Sequence, residues 1–485
     1  MRQYLAIISL FICVASSAGN WKVDWNASLR GAGSSAEYMP FWARTGEDGI
    51  LPMTSSGLVV AGADLAYAGK NSWQFETGVN VAGALAQVSP VNDKNVYGVV
   101  NRLYVSGGWK MLHVDLGIRA RERELSQLSV TGGNLLWSGN AVPFPGINLR
   151  TDWIYFDRKK IFAARANLAH YWMTGPRYIR NSYLHNKSLS LKVALSPTVD
   201  FILGGEHLGM WGGDQRDAAP KPVSFRNFVR IFFGKSGGSD ASVSDQINAL
   251  GNHLGNEYIR LSWKSPAGRF VLQYDKPWED NSGICYQNAP DGVWTVQWNS
   301  KNADAAVSEV VFEWISTTWQ SGLVHDRPAT EQEIAEDHPR VSGEKFIVGG
   351  CDNYFNHSEY RSGWTNYGRV VGLPLFAPME YRDGYVTGIT NTRLRGVHLG
   401  MAGKCCPEVT YRAKSTYTSN WGTYSRKNDL RPWQLSLALE FELSPELLQC
   451  PLSLSVGAYG DIGELYRDSV GLTLRVNYTG RHRWN

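Results

Sequence analysis

Four places in the chain set aromatic rings beside carboxylates, amides or arginines. They are Trp137 with Asn140 and Arg150, Trp211 with Asp214, Asp275 with Trp278, Glu279 and Asp280, and Tyr354 with His357, Tyr360, Arg361 and Trp364. A sugar ring has apolar CH faces and hydroxyl edges, so an aromatic platform dressed with a few placed polar groups suits it. Arginine adds a planar fork that fits the carboxylate of an acidic saccharide. The competing reading of each tryptophan is a girdle residue at a membrane interface. Trp278-Glu279-Asp280-Asn281 is the tightest cluster and follows a strand-like segment, which places it on a loop.

Paired carboxylates also invite a glycosidase reading, and spacing argues against it. Glu309 and Glu313 lie four apart in Val307 to Ile315. On a strand they share a face about 13 Å apart, beyond the roughly 5–9.5 Å that glycosidase pairs use. Glu279 and Asp280 are adjacent and point apart on an extended chain. No H-E-x-x-H helix motif occurs. The sequence therefore predicts no catalytic residue and no metal or other cofactor.

The elements that must carry these clusters alternate with a period of two. In Gln434 to Leu443 the apolar Leu435, Leu437, Leu439, Phe441 and Leu443 interleave with Gln434, Ser436, Ala438, Glu440 and Glu442. Such spacing puts the two sets on opposite faces of a strand, whereas a helix would scatter the leucines around its circumference. The pattern recurs at Trp73 to Val81, Met111 to Arg119, Ser188 to Leu195, Leu452 to Ala458 and Val470 to Tyr478. Charged residues on the non-lipid faces (Glu76, Asp115, Arg119, Lys192, Arg475) suit a wet lumen. A soluble sandwich would show the same alternation with those charges in bulk water.

Export and length favour the membrane. Arg2, the apolar run Tyr4 to Val14 and Ser16-Ser17-Ala18 read as a cleaved signal peptide over residues 1–18, with a barrel over 19–485. The mean hydropathy is negative, and no later segment has the roughly 20 apolar residues of a transmembrane helix. A membrane protein of this profile must be a closed barrel, since only helices and barrels satisfy their backbones in lipid. Strands of about ten residues would fit roughly 14 to 18 times. The expected fold is thus an all-β, antiparallel transmembrane barrel in the cell outer membrane, in contact with its lipid. A net charge of +4 is too small for a nucleic-acid partner. Cys285, Cys351, Cys405, Cys406 and Cys450 leave room for one or two disulfides, with no pairing deducible and no zinc-like spacing.

Two stretches break the alternation. In the Gly- and Asp-rich Trp211 to Asn256, the residues Phe225, Phe228, Val229 and Phe232 fall at i, i+3, i+4 and i+7 between Pro222 and Gly234. That predicts a short amphipathic helix in a long loop, either folded into the lumen as a partial plug or lying on the membrane rim. The second, Leu323 to Lys345, is charged and holds a helical turn near Thr330 to Glu336 in an extracellular loop.

The succession of short motifs resembles the Wzi-type capsule assembly proteins. It runs Leu135-Leu136-Trp137-Ser138-Gly139-Asn140 to Pro145-Gly146, then Gly204-Gly205-Glu206-His207-Leu208-Gly209-Met210-Trp211-Gly212-Gly213, Ser224-Phe225-Arg226-Asn227-Phe228 and Gly251-Asn252. It continues with Gln273-Tyr274-Asp275-Lys276-Pro277-Trp278-Glu279-Asp280, Tyr354-Phe355-Asn356-His357, Gly363-Trp364 and Gly372-Leu373-Pro374-Leu375. The resemblance implies an outer-membrane lectin that holds capsular polysaccharide at the cell surface, in contact with the polysaccharide export machinery. One departure stands out: strand-like Trp21 to Arg30 begins where that family carries a helical bundle. Composition and periodicity alone leave a porin or saccharide-selective channel as the alternative.

Overall fold

A computed structural model describes residues 19–69, 72–85, 95–247, 249–323, 327–336, 341–342, 346–347, 350–448 and 450–484. The expected signal peptide lies outside these residues. The strands are β1 (Gly19–Ser34), β2 (Ser56–Gly69), β3 (Trp73–Leu85), β4 (Val96–Trp109), β5 (Leu112–Ile118), β6 (Pro145–Thr151), β7 (Phe162–Met173), β8 (Ser182–Ser196) and β9 (Val199–Trp211). Then follow β10 (Asn252–Ser265), β11 (Gly268–Trp278), β12 (Gly292–Ser300), β13 (Glu309–Ser316), β14 (Arg393–Cys406), β15 (Val409–Gly422), β16 (Trp433–Leu443), β17 (Leu452–Gly463) and β18 (Ser469–Trp484). Each pairs antiparallel with the next, and Ile154–Tyr155 continues the edge of β6 along β7. The register Trp21↔Trp484 to Ser34↔Gly471 joins β1 to β18 and closes an 18-stranded barrel. Closure leaves no unpaired edge, which is the condition for a sheet to stand in lipid. Among the described residues no helix is long and apolar enough to cross a membrane.

The alternation maps onto the wall as expected. On β16, Leu437 and Leu439 are exposed outward at 37% and 42%, while Gln434, Ser436 and Ala438 are buried inside. Connections at the end of the barrel that holds Gly19 and Trp484 are short, such as 110–111, 197–198, 266–267 and 407–408. The long ones, 119–144, 212–251 and 317–392, all leave from the other end. In outer-membrane barrels short turns face the periplasm and long loops the exterior, which orients the molecule.

The lumen differs from the expected wet channel. Segments around Met39–Ala43, 119–144 and 354–389 fold inward and form one apolar core with the wall. Leu135, Leu136, Phe144, Tyr354, Phe355, Trp364, Leu373 and Phe376 pack there against inward-facing Leu184, Leu208, Leu254, Val293, Ile315 and Leu394. Toward the exterior half, the inward face of those strands is therefore apolar.

The inward polar residues hold this plug by its backbone and by its polar side chains. Glu313 accepts from Ser129 Oγ at 2.6 Å, Val130 N at 2.8 Å and Thr295 Oγ1 at 3.2 Å. Asp275 accepts from Leu135 N and Asn256 Nδ2, each at 2.7 Å. Glu206 accepts from Asn134 Nδ2 and Trp137 Nε1 at 2.9 Å and pairs with Arg121. His398 Nε2 donates to Leu128 O at 2.7 Å, and Asp461 takes Phe41 N at 2.9 Å. The charges expected to be wet are paired: Arg119 with Asp115 and Glu76, Arg475 with Glu47. Lys192 donates to Tyr155 OH at 2.8 Å.

The helix expected near Pro222 forms over Phe225–Phe233, capped by Ser224 and ended by left-handed Gly234. Of its two expected locations it takes the rim, outside the wall, and contributes nothing to the plug. The helical turn expected near Thr330 forms over Glu331–Ala335 with a capping box between Thr330 and Glu333. Cys285, Cys351, Cys405, Cys406 and Cys450 are free thiols.

Glu313→Ala leaves two buried plug donors without an acceptor and should cost the plug about 2–4 kcal/mol. Hydrogen exchange of 126–133 in the folded barrel should then quicken while strand amides keep their protection. Unchanged exchange would remove Glu313 from the tether.

Candidate functional site

A cleft of about 1230 Å³ opens on the long-loop rim. Its volume exceeds the roughly 300–1,000 Å³ of small-molecule pockets and suits an extended ligand. One wall is the end of β11 with the following turn, Trp278 to Ile284; the other is 350–361 with 387–390. The predicted Trp278, Glu279, Asp280, His357 and Arg361 all line it.

Trp278 is the outward-facing last residue of β11. Its indole stacks on His207 with centroids 5.6 Å apart and planes at 13°, and His207 stacks in turn on His253 at 5.0 Å. His253 Nε2 donates to Leu250 O at 2.9 Å, which leaves its Nδ1 to accept from His207 Nε2 at 2.8 Å. The ring row is thus fixed in tautomer and position. Gly255 makes it possible: a Cβ there would stand 2.2 Å from Trp278 Cζ2.

The carboxylates of the cleft are structural. Glu279 accepts from Phe355 N at 2.5 Å, tying the wall of β11 to the plug. Asp280 caps the turn Asn281–Ile284 through Ser282 N at 2.8 Å. Asp352 accepts from Ser321 Oγ at 2.8 Å. Burial, with Asp280 close by, pushes Asp352 up to about 7, and burial also raises Glu279 well above the carboxylate range. His357 Nδ1 accepts from Glu359 N and Tyr360 N at 3.2 Å, and burial lowers its affinity for a proton. Arg361 is exposed and lies over the Tyr178 ring at 4.6 Å.

The other predicted residues lie elsewhere. Tyr354 and Trp364 are fully buried plug residues with no face for a sugar; Trp364 Nε1 donates to Leu136 O at 2.7 Å. Asp275 is buried on Leu135 N. Asn140 donates to Val370 O at 2.9 Å as a stitch within the plug. Trp137 and Arg150 line a lumenal space of about 180 Å³ on the short-turn side, where Arg150 pairs with Asp115 at 2.9 Å. Trp211 is on the outer wall, buried against Tyr183 and Phe228. The plug therefore divides the predicted set, because sequence proximity ignores which side of a wall a side chain takes.

Residues not singled out also join the cleft: His207, Asn252, His253, Asn356, Glu380 and Arg426. Arg426 pairs with Glu380, and Asn252 is buried with an amide nitrogen that has no protein partner. His207 and Asn252 stand inside motifs already conspicuous in the sequence. Their signal was adjacency to glycines, not the aromatic–carboxylate pattern. Among the described residues no cluster of histidine, cysteine and carboxylate could hold a metal.

Comparison with known proteins places the fold and no more. No protein-family model matches, and no curated protein does. The chain is similar in structure to the Escherichia coli outer membrane protein Wzi, a carbohydrate-binding β-barrel involved in group 1 capsule assembly. The TM-score is 0.54 at 11% identity, covering 98% of this chain and 87% of that one. Pseudomonas aeruginosa OccK5 (OpdH) matches at a TM-score of 0.46 and 10% identity, over 96% of this chain and 98% of that one. The P. aeruginosa outer membrane protein opdK matches at 0.48 and 8%, over 95% and 99%. What the likeness to Wzi establishes is the fold, a large outer-membrane type of β-barrel.

A carboxyl whose affinity for a proton is higher folded than unfolded stabilises the fold at low pH and loses that contribution as pH rises through its folded value. The rim at 350–357 should therefore loosen between about pH 4 and about pH 7. Hydrogen exchange corrected for intrinsic rate should show protection falling over that window, and Asp352→Asn should flatten it. Protection independent of pH in the unsubstituted chain would contradict the assignment.

Proposed function

We propose that this outer-membrane barrel is a non-catalytic lectin. It holds a surface polysaccharide of the capsular class in the rim cleft and helps attach or assemble the polymer at the cell surface. The observation that carries the reading is the pairing of a filled lumen with an open rim cleft. Lumenal spaces of about 120, 180 and 30 Å³ sit beneath the plug, whereas the cleft of about 1230 Å³ faces outward. The ring row Trp278–His207–His253 offers a stacking platform, and Arg361, Asn281 and Arg426 line the same cleft. Glu279 and Asp280 are committed to backbone donors, which supports binding rather than acid–base chemistry. The likeness in fold to a carbohydrate-binding barrel is consistent with this assignment.

In this reading the polymer reaches the rim from outside, delivered by a separate export machinery, and the barrel transports nothing. A saccharide channel would need a path through the plug, and the apolar core of Leu135, Trp364 and Phe376 occupies it.

Titration of the purified barrel with oligosaccharides cut from the producing cell's surface polymer tests the proposal. Trp278→Ala should weaken binding about three- to tenfold, the worth of one lost stacking contact. Arg150→Ala, on the far side of the plug, should leave affinity unchanged. Cells lacking the chain should make the polymer but shed it. No binding by the unsubstituted barrel, or full retention of polymer without it, would overturn the reading.

A further inference from the structure

The outer wall carries a polar patch where lipid is expected. On β7 to β10, His170, His185, Lys187, His207 and His253 alternate with the inward Tyr171, Leu184, Asn186, Leu208 and Leu254, and so project outward. The helix Phe225–Phe233 covers part of this patch. The Phe228 ring meets His170 at 5.9 Å, His185 at 5.6 Å and Trp211 at 6.1 Å. Ile231 is fully buried on Gly209, where a Cβ would come within 2.9 Å of Ile231 Cγ2. Lys187 Nζ donates to Phe232 O and lies 4.2 Å from the Phe232 ring.

The opposite face of the helix is apolar as well. Phe225, Val229 and Phe233 are exposed at 81%, 38% and 65%, and their i, i+4, i+8 spacing makes one ridge. Leu189, Leu191, Leu203, Ile259 and Leu261 are exposed on the same strands nearer the short-turn end. The ridge thus continues the lipid-facing band of the wall. Charge points the same way. From Lys221 to Lys235 there are four basic residues and no acidic one. Lys221 is paired with Asp245 and Glu359, and Arg230 with Asp240, while Arg226 and Lys235 are exposed.

We propose that this helix is an interfacial membrane element. Its Phe225–Val229–Phe233 ridge enters the acyl region of the leaflet on the long-loop side, and Arg226 and Lys235 take the phosphate of an anionic lipid headgroup. An amphipathic helix binds an interface in this way, through buried apolar area plus attraction of basic residues to anionic lipid. One side of the helix then shields the wall's histidines from lipid, and the other anchors the rim beside the cleft, which Phe233 and Gly234 border.

The test places photoreactive benzoylphenylalanine at Phe225, at Phe233 or, as a control, at Leu261. The full chain is then folded into vesicles of phosphatidylethanolamine and phosphatidylglycerol. Both helix positions should give lipid adducts at a yield comparable to the control. Lipid adducts from Leu261 alone would overturn the proposal, as would helix adducts to a second copy of the chain. Arg226→Glu combined with Lys235→Glu should lower the ratio of phosphatidylglycerol to phosphatidylethanolamine adducts, by roughly fivefold per reversed charge or more. An unchanged ratio in a variant with native circular dichroism would overturn the headgroup contact.

Discussion

A chain can cross the inside of a barrel only if its backbone polar groups find partners there, since water is excluded and each orphaned group costs dearly. Everything about this molecule follows from how that constraint is met. The alternating strands give the wall an inward set of polar side chains, and Glu206, Asp275, Glu313, His398 and Asp461 spend theirs on the loops that enter. Once those bonds are made, the apolar residues of the same loops can close over one another. The lumen then becomes a core, with Trp364 set edge-on to Trp137 at 5.0 Å.

Filling the lumen moves the available chemistry to the rim. The segment 350–361 is held from below by the plug and from the side by Glu279, so its outer surface is a rigid wall for the cleft. Trp278 faces it from β11, braced by His207 and by the space Gly255 leaves. A ring fixed on a strand end has little freedom left to lose when a ligand binds, an advantage over a ring on a free loop.

Much of this was legible in the residues. Leu435 to Leu443 announced a strand with a lipid face, and Phe225, Phe228, Val229 and Phe232 announced a helix, because both signals are local and periodic. The plug was not legible. Leu135-Leu136-Trp137 and Tyr354 to Trp364 have no period, and their aromatics read the same whether they stack on sugar or on each other. The polar strand faces misled for a related reason: Asp115 and Arg119 look alike facing water or facing partners. Sidedness is a long-range property, set by closure of β1 on β18, and no window of sequence contains it. That is why Trp278, His357 and Arg361 were found together while Trp137 and Arg150 fell on the other side.

The central claim is that the lumen is closed and the molecule works from its rim. Single-channel recording of the purified barrel in a planar bilayer tests it most directly. The account predicts no conductance steps of porin size in simple salt, and none after adding oligosaccharide. Steady large openings that saccharide blocks would contradict it, because they require a continuous path where the plug lies.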